Sequence, residues 1–387
     1  SNTTASNNTA VGRSSLEENT TGTQNVAVGA YALDSNTTAN NNTAVGYNSL
    51  GVNTTGTQNV AVGANALDAN TTASNNIAIG YLSLTENTTG TQNVGVGVNT
   101  IADNTTGDFN TGVGHQALKN NETADNNTAV GNNALLNNTT GASNTAIGSS
   151  SLSANTTGAS NVAVGANAGD AITTGSLNVA IGLQALTAAT TSGENTCVGG
   201  AAGRYIGSGQ QNTAIGRSAM HSSVSGSTGQ MTGDSNVAVG YDSLFDLTTG
   251  SDNTGLGTRS LANTTTGQQN TAVGRSALVN NTTANNNTAV GHNSLASNTT
   301  GANNIAIGSF ALDANVDGSN NTAVGYQALT TNTATNNTAF GYQALRLNET
   351  GTSNVAVGLQ ALNVNVSGSE NTVCGHQALD ANTSGST

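Results

Sequence analysis

Twenty acidic side chains, four histidines and two cysteines are the residues of this 387-residue chain best suited to catalysis or metal binding. A glycosidase needs two carboxylates about 5 to 9.5 Å apart, one of them held protonated. The spacings Asp242/Asp246 and Asp313/Asp317 come nearest to that requirement. Neither pair sits in an apolar stretch that would raise one member, so no catalytic residue is assigned. His115, His292 and His376 fall several repeats apart, and one chain does not bring them to a single metal. A phosphate-cradling P-loop, a G-x-S-x-G elbow, an H-E-x-x-H zinc motif and the G-G-x-G-x-D calcium-roll signature are all missing from the sequence. The expectation is a non-enzymatic protein with no cofactor and no metal.

The element that places these residues is a short phrase, seen cleanly as N-T-A-V-G-Y-Q-A-L from Asn321 to Leu329. It occurs 22 times, from Asn8 to Asn371, at a step of 17 residues. Two steps differ: 24 residues from Asn212 to Asn236, and 16 from Asn321 to Asn337. Numbered from its Asn, the repeat has Asn at position 1 and Gly at position 5 in all 22 copies. Position 2 is Thr, Val or Ile, position 3 is small, position 4 is aliphatic with few exceptions, and position 9 is Leu, Ile or Met in all but two copies. Such fixed-period similarity denotes a solenoid, so residues 1–387 read as one continuous array with an irregular region around 201–235.

Composition bounds the rest. Charged residues are 7%, aromatics 3%, and proline is absent. This resembles a disordered chain, but the apolar residues keep fixed slots and can stack on their copies above and below. The net charge of −13, with Lys119 the single lysine, excludes a basic nucleic-acid surface. No apolar run approaches the roughly 20 residues of a membrane-spanning helix, so membrane insertion is not expected. The opening at Ser1 in mid-repeat reads as a piece of something longer, or as a unit meant to be continued. Cys197 and Cys374 lie ten repeats apart, or roughly 50 Å along a stack, far beyond disulfide reach.

Positions 1 to 4 form a β-branched run closed by Gly, which predicts a strand and a bend. The T-T-G or T-T-A segment predicts a second extended piece. Asn, Gly and Thr disfavour helix. The fold class is therefore all-β, a parallel β-solenoid (β-roll) of 22 coils, on the order of 105 Å long at ~4.8 Å per coil. Asn59, Asn76 and Asn93 are expected to form a side-chain amide ladder. Gly63, Gly80 and Gly97 are expected at positive φ or in close contact, with Leu67 and Leu84 filling the coil. Strand alternation puts positions 2 and 4 on one side and positions 1, 3 and 5 on the other. If positions 4 and 9 both point into the coil, a single chain buries its own Val and Leu. If 2 and 4 point outward they form an aliphatic stripe, and small residues at 3, 5 and 8, which suit a narrow interior, favour that second arrangement. A soluble chain would not leave such a stripe bare, and a parallel homotrimer would cover it.

Between Asn161 and Asn236 the pattern loosens: Gly169 and Gly203 replace the position-9 Leu, and Ile172 and Ile206 replace the usual Asn. The seven-residue insertion falls within Ser222 to Ser235. Insertions in solenoids go to loops on one face. Arg204, Tyr205, Met220, His221 and Met231 mark this bulge as a candidate binding region.

The phrase N-T-A-V-G-Y-Q-A-L with its N-T-x-T/G spacers resembles the repeats of bacteriophage tail-fibre proteins and related bacterial tail-fibre-domain surface proteins. It is also similar to the N-S-V-A-I-G head repeat of trimeric autotransporter adhesins, although the period here is 17 rather than the shorter adhesin one. The resemblance implies a homotrimeric parallel β-roll shaft presenting adhesive contacts. The expected function is a structural extracellular, cell-surface or virion-borne fibre with an attachment role. Its partners would be itself and a cell-surface glycan or protein receptor. Two alternatives stand beside it: a filament subunit docking end to end, since neither end reads as a cap, and an ice-binding solenoid using the Thr rows at positions 13 and 14.

Overall fold

The interior of each coil is built from six small or slender side chains. In the coil that starts at Asn59 these are Asn59, Ala61, Ala66, Leu67, Asn70 and Ala73, all buried. With so little apolar volume, order depends on stacking identical coils, and the computed structural model, which describes residues 4–222 and 230–386, shows that stacking. The chain is all-β, with no helix among the described residues. It forms two compact units, Ser1–Gly193 and Glu194–Thr387.

Each repeat contributes one three-residue strand at positions 2 to 4. The first unit runs from β1 (Thr9–Val11) to β11 (Val179–Ile181), the second from β12 (Thr196–Val198) to β22 (Thr372–Cys374). Within each unit successive strands pair in parallel and in register, Val60 on Ile77 and Thr254 on Thr271, for example. The 24-residue and 16-residue steps do not shift the register: Thr213 still meets Val237, and Thr322 meets Thr338. Cys197 and Cys374 stand at the two ends of the second unit's strand series, and both are free thiols.

The expected second strand at T-T-G is replaced by a bend, so the coil has one strand rather than two or three. Pairing nonetheless continues around the coil. In the coil from Asn25 to Asn41, the amides of Val26, Leu33, Ser35 and Thr37 donate to carbonyls of the following coil, and those of Gly29, Tyr31 and Asn41 donate to the preceding one. A buried turn is tolerable only when its backbone groups are satisfied in this way.

Gly at position 5 is required on both grounds expected. Gly63 has φ +141°, and a Cβ there would overlap the carbonyl of Gly80 in the next coil. Position 9 is more unusual: Leu67 and Leu84 sit in the left-handed region at φ 52° and 51°. That conformation costs an L-residue about 1–2 kcal/mol, and burying the whole side chain returns about 1.5–3 kcal/mol. Burial wins narrowly. Where position 9 is Gly, position 12 changes with it. Ile172 and Ile206 are buried, and a Cβ on Gly169 or Gly203 would press on their Cδ1 atoms. Cys197 at position 3 also fills the space beside Gly203. The volume has moved from one wall of the coil to the other.

Leu67→Gly should therefore lower local stability by about 1–3 kcal/mol, and adding Asn70→Ile should recover part of that loss. Native-state hydrogen exchange at the Leu67 and Leu84 amides measures both variants. Additive losses in the double variant would contradict the exchange of volume between positions 9 and 12.

Candidate interaction surfaces

The position-1 Asn rows, expected as a side-chain amide ladder, form an internal frame with a different bonding pattern. Asn76 is fully buried; its Oδ1 accepts the backbone N–H of Asn93 at 2.9 Å, and its Nδ2 donates to the Gly90 carbonyl at 2.8 Å. Asn59 and Asn93 repeat the arrangement. The link between coils is thus side-chain oxygen to backbone amide, joined in some coils by an amide-to-amide bond such as Asn161 to Asn144 at 3.2 Å. The continuous amide ladder is at position 12 instead, through Asn53, Asn70, Asn87 and Asn104. It ends at Asn155, whose Oδ1 is buried without a partner because Ile172 follows. Asn315 Oδ1 is likewise unpaired: in the one-residue-shorter coil Asn332 turns its amide to Ala334.

Three outward faces remain. The first carries positions 2, 4 and 6. Strand burial alternates as expected, so the position-3 Ala points in while its neighbours point out. Ile79, Ile147, Ile215, Ile307 and Phe340 are each 40–43% exposed, and they form apolar rows along both units. Exposed tyrosines at position 6 flank the rows, with Tyr326 stacked on Tyr342 at 5.5 Å and Phe310 edge-on to Tyr326 at 6.2 Å. Beside them a glutamine ladder links Gln327, Gln343, Gln360 and Gln377 at 2.8–3.0 Å. Cys374, at position 4, is exposed on this face, whereas burial pushes the Cys197 thiol up to about 12.

The second face carries positions 7, 10 and 11, and most of the candidate bulge lies on it. Arg204 stands over the Tyr205 ring at 5.3 Å, Tyr205 meets His221 edge-on at 5.2 Å, and His221 stacks on Phe245 at 5.1 Å. Met220 and Met231 are fully buried and serve the interior, where Ile206 bridges to Met231. Part of the insertion, residues 223–229, lies outside the described residues. Tyr241, Asp242, Phe245, Asp246, Arg259, Ala262 and Asn263 enclose a cleft of about 400 Å³ beside this stack. Asp242 and Asp246 thus meet in one cleft, whereas Asp317 is at position 14 on another face from Asp313. Burial raises Asp313, and burial also raises Asp68, against the bond that it accepts from the Thr85 hydroxyl at 2.5 Å.

The third face carries positions 13, 14, 16 and 17. Its position-13 threonines are half-buried, and Thr54 and Thr71 show how they are used: the Thr54 hydroxyl donates to the Thr71 carbonyl at 3.1 Å. At position 6, on the first face, His115 lies at 3.3 Å from Asn132 and His292 is edge-on to Phe310. Among the described residues no group of three or more His, Cys, Asp or Glu side chains could hold a metal ion. Sequence reading missed Tyr241, Phe245 and Arg259. The available signal was bulky residues at like positions of successive repeats. No protein-family model matches the chain, and no curated protein matches it.

Burial, then the Arg204 charge, lowers the pKa of His221, against the opposing pull of Asp242 and Asp246. Its imidazole should titrate below the ordinary value of about 6.5, and Arg204→Gln should move the midpoint up, as read by NMR. The folded chain holds the neutral ring. Stability from this site is therefore full above that ordinary value and is lost as pH falls through the lower folded one.

Proposed function

We propose that this chain is the shaft of a non-enzymatic extracellular, cell-surface or virion-borne fibre, three copies of which associate in parallel through the face carrying positions 2, 4 and 6. One observation carries the reading: outward β-branched and aliphatic rows, in register from coil to coil, cover an interior too narrow to take them in. Contiguous apolar rows of this extent mark an interaction site rather than a solvated surface. Flat in-register strand faces find a natural partner in a second copy of themselves, because every row then meets an identical row. A stack in which each coil's backbone bonds to the coils before and after it supplies spacing and resistance to proteolysis without a large core. The ice-binding alternative is less well supported, since position-13 hydroxyls are spent on neighbouring carbonyls.

Light scattering with electron microscopy tests the reading. The expected result is a discrete rod of three chain masses. Replacing Val96 and Val113 together with Lys should shift it toward one chain mass, with unchanged far-ultraviolet circular dichroism. A wild-type rod of one chain mass would overturn the association, and filaments one chain thick would replace it with end-to-end docking.

Cys374 gives an internal check on direction. In a parallel, in-register assembly the Cys374 residues of neighbouring copies lie at the same level, so mild oxidation should give a disulfide-linked dimer on a non-reducing gel. Cys374→Ser should abolish it. Antiparallel association would leave the dimer absent in the wild type.

A further inference from the structure

We propose that the cleft beside Phe245 binds a neutral pyranose sugar, in the stacking row that Ala262 leaves unfilled. Position 10 runs Arg204, His221, Phe245, Ala262 in successive coils. His221 lies nearly parallel to Phe245, with 7° between their planes at 5.1 Å, about one coil rise. The row of rings stops there, because Ala262 has only a methyl group and is the floor of the cleft. At about 400 Å³ the opening is in the range of small-ligand pockets.

The lining specifies what fills it. Phe245 and Ala262 supply an apolar wall and floor. Asp242 and Arg259 come from position 7, and Asp246 and Asn263 from position 11. A ring entering the row therefore meets acceptors in Asp242 and Asp246 and a donor in Arg259, beside Asn263, whose amide already donates to Asn280 at 2.9 Å. A pyranose has an apolar C–H face and hydroxyls around its rim that both donate and accept, and it matches this pattern. An aromatic side chain would cover the same wall and leave the polar groups unpaired, which is costly. Asp246 Oδ1 is buried without a hydrogen-bond partner, so turning that carboxylate toward a ligand breaks no internal bond through this atom. Two carboxylates in a chain of net charge −13 oppose an anionic sugar. Face geometry alone does not create the site: the cleft over Ala102 in the first unit, lined by Asp68, Leu82, Glu86, Asp103 and Lys119 among others, has no aromatic wall.

This inference deepens the attachment part of the fibre reading by naming the class of receptor, and its test is independent of chain association. The full chain is probed with neutral oligosaccharides ending in glucose, galactose, mannose or N-acetylhexosamine, with sialylated oligosaccharides and a tryptophan-bearing tripeptide as controls. Binding to at least one neutral sugar is expected, weakened at least tenfold by Phe245→Ala and by Arg259→Ala. Ala262→Phe should abolish it by continuing the row, which already accepts rings at His221 and Phe245. Circular dichroism and the light-scattering mass confirm that each variant keeps its fold and association, so a lost trimer and a lost sugar site are read separately. Failure to bind any neutral sugar, binding indifferent to Ala262→Phe, or preference for the sialylated or tryptophan probe would overturn the proposal.

Discussion

The structure depends on a single pair of hydrogen bonds, repeated at the start of nearly every coil. A coil of 17 residues encloses too little space for a conventional core, so its buried corner carries backbone groups that water does not reach. The Asn at position 1 answers one group on each side, accepting from the next coil's amide and donating to a carbonyl within its own coil, as Asn42 does with Asn59 and Gly56. Asp lacks the donor, and Gln would need an extra methylene that this interior does not accommodate. An unsatisfied buried amide or carbonyl costs about 1–3 kcal/mol, which explains why the residue does not vary across the array.

The same narrowness decides what lies outside. Because positions 3 and 8 admit only small side chains, the larger β-branched residues of each strand face outward, and chemical variety is confined to positions 6, 7, 10, 11 and the polar third face. Each such position becomes a row with one residue per coil, and neighbours in a row are close enough to stack or hydrogen-bond, as Tyr326 does with Tyr342 and Gln343 with Gln327. Recognition on such a surface is written as a departure from the row. A small residue after a run of rings makes a slot.

Much of this was legible from residue order. The period gave the coil, Gly63 and its copies gave the bend, and alternation gave the outward placement of Val60 and Val62. The coil path between Gly and the next Asn was not legible. No propensity would place Leu67 at a positive φ, because the reason lies in burial against the adjacent coils. The same gap hid the amide ladder at position 12 among other polar residues and made Met220 and Met231 look available for contact. It also kept Phe245 and Arg259, from consecutive repeats, from being seen as neighbours in one cleft.

The two interruptions of the position-12 ladder bear on how the array carries load. Tension along the stack falls on all the bonds between adjacent coils at once, so each junction resists in proportion to the number that it holds. The junctions after Asn155 and Asn315 each lack an amide link that the preceding coils possess. Rupture under pulling is set by the weakest link rather than by the average. In the first unit the loss continues through Ile172 and Ala189, and in the second it covers Ile206, Leu247 and Thr264 before the ladder resumes from Asn281 to Asn315, so these stretches and the Asn315 junction are where the array is expected to yield first.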